Sequence, residues 1–278
     1  MTRFAACFLL VFGQLAFGGM FALAIPPFFK VERGFFKSSA SVYLSAALAT
    51  VAGFVLLALR GGRGEAPSPA ALWTAAAIWA LFSVVLAAYL YTLWTDRGRL
   101  RAQTFSAAFV TGMLAVVASA VMLEPAGLGA AGALVYGLTA LGAAAALGLS
   151  SGAMLFGHWY LIDPNMPVDY LRSFIRVLGY ALVAYLAALA LTIGLLAVAA
   201  GSHGTAAIET LIGSHLGLVA MRMLLGPGAA LVLTGMCWQT LKIPQTMAAT
   251  GLLYITVLAV LVGEMLGRYV MFRTAVPL

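Results

Sequence analysis

Four ionisable residues lie inside or at the ends of long apolar stretches of this sequence: His215, Arg222, Glu264 and Arg268. An ionisable group in the hydrocarbon of a membrane costs about 2.5 to 3.5 kcal/mol even on a lenient insertion scale, so these groups are the first places to look for chemistry. Histidine and glutamate can transfer protons to a substrate, and arginine binds oxygen atoms through its guanidinium group. These residue types could therefore hold and protonate a substrate hydroxyl or carbonyl.

The spacing of these residues predicts their arrangement. His215 and Arg222 are seven residues apart, which is about 700° of helix turn and places them on one helix face. Glu264 falls about 27 Å along the last helix, at the depth predicted for His215, and Arg268 follows it at i+4, in the favourable order for an ion pair. Two interpretations stay open. One is a proton-exchanging pocket; in the other, Glu264 only pairs with Arg268, His215 meets a backbone carbonyl and Arg222 neutralises another polar group.

A helix break follows Arg222 at Gly226-Pro227-Gly228. Pro227 removes a backbone donor and leaves a carbonyl one turn earlier without its usual partner. In a membrane such a break is tolerated where neighbouring groups, water or a ligand satisfy the backbone. The break either widens the space beside Arg222 or serves as a packing kink.

The elements that position these residues are predicted to be membrane helices. Of the 278 residues, 64% are hydrophobic and 8% are charged, whereas a soluble domain carries about 25% charged residues. The alternating segments of roughly 10 residues that build a transmembrane β-barrel are absent. The net charge of +7 comes mainly from basic residues in short loops between apolar stretches, so nucleic acid is excluded as a partner. The composition predicts an all-α, polytopic bundle of transmembrane helices.

Eight stretches reach the length of about 20 residues that crosses a bilayer, and together they form one integral membrane domain, residues 1–278. They are residues 4–25, 39–59, 70–94, 103–123, 128–160, 174–200, 210–237 and 245–268. An even number of spans places both termini on one side, here called the terminal face, and leaves the other side as the opposite face.

The basic residues predict the orientation of the bundle. Nine are expected at the opposite face, namely Lys30, Arg33, Lys37, Arg97, Arg99, Arg101, Arg172, Arg176 and Lys242. Five are expected at the terminal face, namely Arg3, Arg60, Arg63, Arg268 and Arg273. The positive-inside rule then makes the opposite face cytoplasmic. We expect a multi-pass protein of the cell inner membrane with periplasmic N- and C-termini.

Two further patterns concern packing and the membrane surface. Residues 167–178 have helical spacing of apolar residues with charged residues between them: Val168, Leu171, Phe174, Ile175 and Leu178, with Asp169, Arg172 and Arg176. This predicts a short amphipathic helix at the headgroup level, either a cationic anchor or a docking site for a peripheral subunit.

The small-residue pairs Gly148/Gly152 and Gly263/Gly267 predict close helix approach.

No metal is expected, because ligand sets of the cysteine and histidine type are missing. No haem is expected between His158 and His215, because these two histidines are predicted in opposite leaflets, too far apart to bind one iron. His203 lies on the same face as His215, so a haem held by these two histidines stays open. Nucleotide-binding and catalytic-triad motifs are also missing from the sequence.

Two fragments resemble a known family. The run Val11-Phe12-Gly13-Gln14-Leu15-Ala16-Phe17-Gly18-Gly19 is similar to the start of the membrane anchor subunits of dimethyl sulfoxide reductases. The run Gly263-Glu264-Met265-Leu266-Gly267-Arg268-Tyr269, followed by Phe272, resembles their last-helix motif. Those anchors, and the related polysulfide reductase anchors, are haem-free helix bundles that bind a quinol and pass its electrons to an iron–sulfur partner subunit. The resemblance implies that Glu264 and Arg268 belong to a quinol region and that the termini are periplasmic.

The leading hypothesis is an integral subunit of a respiratory or related electron-transfer complex that interacts with quinone or quinol near the terminal-face ends of the last two helices. Glu264 and His215 would exchange its protons, and Arg222, Arg268 and His215 would bind it. The expected partners are the lipid bilayer and other membrane and peripheral redox subunits, including an iron–sulfur protein. At most, the chain is a non-haem quinol-binding subunit of an oxidoreductase. The alternatives are a cofactor-free structural subunit and a small secondary transporter, which the lack of an evident inverted repeat disfavours.

Overall fold

The computed structural model describes residues 2–60, 68–95, 98–123, 129–199 and 201–278. Within these ranges the regular elements are helices, with no strand. They are α1 Thr2–Ala24, α2 Arg33–Leu59, α3 Pro69–Thr95, α4 Gly98–Met122, α5 Gly129–Trp159, α6 Val168–Ala199, α7 Gly201–Met223, α8 Ala229–Lys242 and α9 Thr246–Thr274. A five-residue break, Leu224–Gly228, separates α7 from α8.

The described chain contains eight helical spans that are long and apolar enough to cross a membrane, with α7, the break and α8 forming one of them. The predicted number and order of spans are confirmed. Several helices run further than predicted, since α2 begins at Arg33 and α9 ends at Thr274. A membrane helix can continue beyond the hydrocarbon, where polar residues are tolerated. The length of the apolar stretch therefore underestimates the length of the helix.

The outward faces of the helices are apolar. Large hydrophobic side chains such as Leu59, Val84, Val198 and Val232 are exposed on the surface of the bundle. Exposed apolar side chains over the length of eight membrane-spanning helices contact lipid in an integral membrane protein.

Helices α1 and α5 are the most deeply buried spans. They pack on each other and lie between a group formed by α2, α3 and α4 and a group formed by α6 to α9. Their contact depends on small residues: a Cβ atom on Gly148 would collide with the backbone of Gly18, and one on Gly152 would collide with the Cβ of Ala22. The close helix approach predicted for Gly148 and Gly152 is confirmed.

The structure corrects the prediction for residues 167–178. From Val168 onward these residues are the first turns of α6, which continues without interruption into the membrane span. The apolar side chains of this segment, Leu171, Phe174, Ile175 and Leu178, are buried in the protein core. The helical spacing is therefore present, but the apolar face packs against other helices. Sequence spacing shows that a helix has an apolar face without showing whether protein or lipid covers it.

The first and last spans meet at one end of the bundle. Helix α1 packs against α9. Because the described chain has eight spans, the start of α1 and the end of α9 lie at the same end of the bundle, the terminal face. The predictions that involve the side chains of Arg3, Arg63, Arg97 and His203 lie outside the described residues, and the orientation of the bundle in the membrane stays a prediction.

Candidate functional site

The break after α7 is a true interruption of the helix, as the sequence predicts. Pro227 lies inside it, and Gly226 has non-helical backbone angles (φ −80°, ψ −107°). Both residues are buried. Arg222 lies in the last turn of α7, so its side chain leaves the helix immediately before the backbone changes direction.

Helix α9 packs directly against this break. A Cβ atom on Gly263 would fall against the Cα of Gly226 and lie 3.0 Å from its backbone nitrogen. A Cβ on Gly226 would lie 2.8 Å from Nη1 of Arg222. Of the two interpretations of the break, the structure therefore supports the packing kink, because the backbone of α9 and the Arg222 guanidinium fill the adjoining space.

Arg222 joins a carboxylate and a phenol at this point. Its Nη2 donates hydrogen bonds to Oε1 of Glu264, at 2.8 Å, and to the hydroxyl of Tyr185. The Tyr185 hydroxyl in turn donates to the same Glu264 oxygen at 2.8 Å, and the Arg222 guanidinium carbon lies 5.4 Å from the centre of the Tyr185 ring. Helices α6, α7 and α9 thus each contribute one side chain to a closed triangle.

Arg268 binds the other oxygen of the carboxylate. Its Nη2 lies 3.5 Å from Oε2 of Glu264, which confirms the predicted i,i+4 pair. Its Nη1 lies 3.6 Å from the sulfur of Met271. Arg222 is 0% exposed, Glu264 and Arg268 are 1% exposed and Tyr185 is 2% exposed. We call these four residues the Arg–Glu–Tyr cluster.

The cluster combines three kinds of chemistry in one buried place. Glu264 can accept a proton, Tyr185 can donate a hydrogen bond, and two guanidinium groups can bind oxygen atoms or stabilise negative charge. Nε and Nη1 of Arg222 and Nε of Arg268 have no hydrogen-bond acceptor among the described residues. Buried donors are almost always paired, so the arginines have binding capacity that Glu264 and Tyr185 do not use.

The structure corrects the depth expected for His215. Glu264 is level with Arg222, to which it is bound, and seven residues of helix place His215 about 10 Å further toward the terminal face. There α7 packs beside α9, and Leu211 and Val270 belong to one buried apolar cluster. His215 is half-buried, and its Nδ1 lies 3.4 Å from the carbonyl oxygen of Thr210. A role for His215 in proton exchange stays a prediction.

Sequence reasoning missed Tyr185. The chain has ten tyrosines, and tyrosine is common at membrane surfaces, so its residue type alone gives no signal. Its position does give one: Leu178, Leu182, Tyr185 and Leu189 follow helical spacing on a buried face of α6, near the middle of the span. A hydroxyl at that depth needs a partner in the protein.

In the part of the chain that the structure describes, no group of three or more histidine, cysteine, aspartate or glutamate side chains is placed to hold a metal ion. This search does not test the predictions about haem and metal, because the His203 side chain is not described. No protein-family model and no curated protein matches the chain. The resemblance to the dimethyl sulfoxide reductase anchors therefore stays a prediction from two sequence motifs.

Proposed function

We propose that this protein is an integral membrane subunit of an electron-transfer complex and that its Arg–Glu–Tyr cluster binds a quinone or quinol. The proposal rests on a buried cluster in which a carboxylate, a phenol and two guanidinium groups come together from three helices. Both guanidinium groups have N–H donors without an acceptor among the described residues. Groups that can both bind oxygen and exchange protons are what a membrane-soluble carrier of electrons and protons requires.

The unpaired donors fit an oxygen-bearing ligand. Nη1 and Nε of Arg222 would hold an oxygen of the quinone head group, because they are buried donors without an acceptor among the described residues. A bound quinol supplies electrons and protons together when it is oxidised. Arg268 would stabilise negative charge beside Glu264, to which it is already paired.

The proton path would begin at Glu264, which accepts hydrogen bonds from Arg222 and Tyr185. His215 lies about two helix turns from Arg222 toward the terminal face. It is half-buried, so it would exchange the proton with water at that surface. With the predicted orientation, this surface is the periplasmic side of the inner membrane. Partner redox subunits, including an iron–sulfur protein, would receive the electrons.

The proposal can be tested by quinol-dependent reduction of the purified complex. Glu264→Gln keeps the size of the side chain and removes the proton acceptor, and Tyr185→Phe removes one hydroxyl. Each is expected to lower turnover by about 10²-fold or more, as the loss of a proton-transfer group does. Glu209→Gln is the matched control, because Glu209 is exposed on α7. Wild-type turnover in both Glu264→Gln and Tyr185→Phe would contradict the proposal.

A second function, that of a structural or assembly subunit, is favoured by the closure of the cluster, whose members are at most 2% exposed. In that case the ion pairs only hold α6, α7 and α9 together. The same variants separate the two functions. A structural cluster predicts less assembled complex, with unchanged turnover per assembled complex. A quinone site predicts assembled complex with lower turnover.

A further inference from the structure

A group of basic residues lies at the opposite face of the bundle, where the connection from α1 to α2 contacts the start of α4 and the start of α2 contacts the end of α3. We call residues 28–37 and 94–101 the basic corner. These residues include six lysines and arginines but two acidic residues, so four positive charges remain even when each carboxylate is paired. A positive patch of this size attracts anions, including those of a membrane surface.

Arg101, in the first turn of α4, is held at this corner by aromatic rings. Its guanidinium carbon lies 4.6 Å from the centre of the Phe28 ring and 5.3 Å from that of the Phe29 ring. Phe28 in turn stacks on Phe36, with ring centres 4.6 Å apart, and makes an edge contact with Phe105, one turn after Arg101 on α4. Packing therefore sets the position of the guanidinium group before any ligand binds, and such preorganisation favours binding.

The aromatic contacts leave the hydrogen-bond donors of Arg101 unused. Among the described residues, its guanidinium group contacts the two rings and has no carboxylate partner or hydrogen-bond acceptor. The residue is half-buried, so part of the group stays accessible. A guanidinium group carries five N–H donors in a rigid fork that fits two oxygens of a phosphate group. Arg101 thus presents a phosphate-binding group at the edge of the bundle.

Two lysines add positive charge beside Arg101. Nζ of Lys37 lies 4.2 Å from the centre of the Trp94 ring, and Lys37 directly follows Phe36, whose ring stacks on Phe28. Lys30 lies in the connection from α1 to α2 and is exposed. Neither lysine forms an ion pair within the described part of the chain. The lysines would therefore strengthen the attraction of a negatively charged ligand to the corner.

Exposed aromatic side chains place the basic corner at the level of the lipid head groups. Phe29 is 94% exposed, Trp94 is 68% exposed and Tyr91, one turn earlier on α3, is 61% exposed. Tryptophan and tyrosine are enriched where membrane helices enter the head-group layer. An exposed phenylalanine ring is stabilised by apolar surroundings rather than by water. Together these rings favour a lipid over a peripheral protein as the molecule that covers the corner.

We propose that the basic corner binds an anionic phospholipid, whose phosphate accepts hydrogen bonds from Arg101 while its acyl chains contact Phe29. The recognised chemistry is a phosphodiester with net negative charge. A zwitterionic phospholipid has the same phosphate but also an ammonium group, which Lys30 and Lys37 would repel. The site lies at the opposite face, away from the Arg–Glu–Tyr cluster, and does not depend on the quinone proposal.

The experiment measures the thermal stability of the purified full-length protein in mixed micelles at constant ionic strength. Dioleoyl phosphatidylglycerol replaces dioleoyl phosphatidylcholine stepwise at constant total lipid. A ligand that binds only the folded state raises Tm in a saturable way, and the concentration dependence gives its apparent affinity. We expect phosphatidylglycerol to stabilise the wild-type protein saturably beyond phosphatidylcholine. Glycerol phosphate is the soluble probe, and it is expected to give no saturable stabilisation over the same concentration range.

Two variants test the contacts with the lipid. Arg101→Gln is expected to lower the apparent affinity for phosphatidylglycerol by about tenfold or more, as the loss of hydrogen bonds to a charged group does. Phe29→Ala is expected to lower it as well, and it leaves folding unaffected because the ring is exposed. Arg176→Gln is the matched control, because Arg176 is also an exposed arginine at the opposite face, 5.5 Å from the Trp238 ring. It is expected to keep the wild-type affinity.

The possible outcomes are distinct. A preference for phosphatidylglycerol that falls in Arg101→Gln and Phe29→Ala but not in Arg176→Gln supports the proposal. Equal stabilisation by the two lipids overturns it and favours a partner protein at the corner. Equal losses of affinity in Arg101→Gln and Arg176→Gln also overturn it, since that result reports only the general attraction of a basic face. Stabilisation by glycerol phosphate as strong as that by phosphatidylglycerol identifies a soluble phosphate as the ligand and overturns the lipid assignment.

Discussion

The contact between α9 and the helix break can be tested with a single methyl group. Gly263→Ala places a Cβ against the Cα of Gly226 and 3.0 Å from its nitrogen. Both atoms belong to the backbone, so they can move away only if the helix and the break separate. Forcing an additional methyl group into a packed interior costs about 1 to 3 kcal/mol. Separation would also lengthen the 2.8 Å bond between Arg222 and Glu264, so we expect the upper part of that range.

The measurement is the free energy of unfolding of the purified protein in mixed detergent micelles, by denaturing-detergent titration. Gly251→Ala is the matched control: it makes the same substitution on the same helix, at a glycine whose Cβ would have no neighbour within 4 Å. This variant is expected to be neutral or up to about 1 kcal/mol more stable, because alanine favours the helix over glycine. Equal stability of the two variants would refute the close approach of α9 to the break.

Three further predictions concern other parts of the molecule. Tyr136→Phe removes the 2.6 Å hydrogen bond to the carbonyl oxygen of Ala275; we expect the free energy of unfolding to fall by about 0.5 to 1.5 kcal/mol, and unchanged stability in the same detergent titration would contradict this. Arg172→Met removes two hydrogen bonds to the Leu241 carbonyl, of 3.2 and 2.7 Å, and is expected to lower the free energy of unfolding by about 1.5 to 3 kcal/mol. Reporter fusions at the two ends are expected to show both termini in the periplasm; cytoplasmic reporter activity would reverse the orientation.

Three members of the cluster could be predicted from the sequence, for a physical reason. In a chain with 8% charged residues, an ionisable group inside an apolar stretch is conspicuous, and Arg222, Glu264 and Arg268 stand out in this way. The pair between Glu264 and Arg268 also follows from spacing on one helix. Tyr185 could not be identified by the same reasoning, because a tyrosine costs little in an apolar segment and its partner is set by the packing of α6 on α9.

Relative depth between helices was the weakest prediction, since it depends on where each helix begins. The first residue of a span is estimated from composition, but α7 begins at Gly201, whereas its apolar stretch begins at residue 210. An error of about nine residues is about 13 Å of depth. That error is large enough to exchange His215 for Arg222 as the residue level with Glu264.

The glycines near Arg222 connect the packing of the bundle to the chemistry of the cluster. Gly226, Gly263 and Gly267 each lie where a Cβ atom would meet the Arg222 side chain, at 2.8, 3.5 and 2.9 Å. Their missing side chains leave the volume that the guanidinium occupies, and this exclusion of water strengthens every ion pair within the cluster. A small movement of α9 relative to the break would therefore change the position of Arg222 and its distance to Glu264 together.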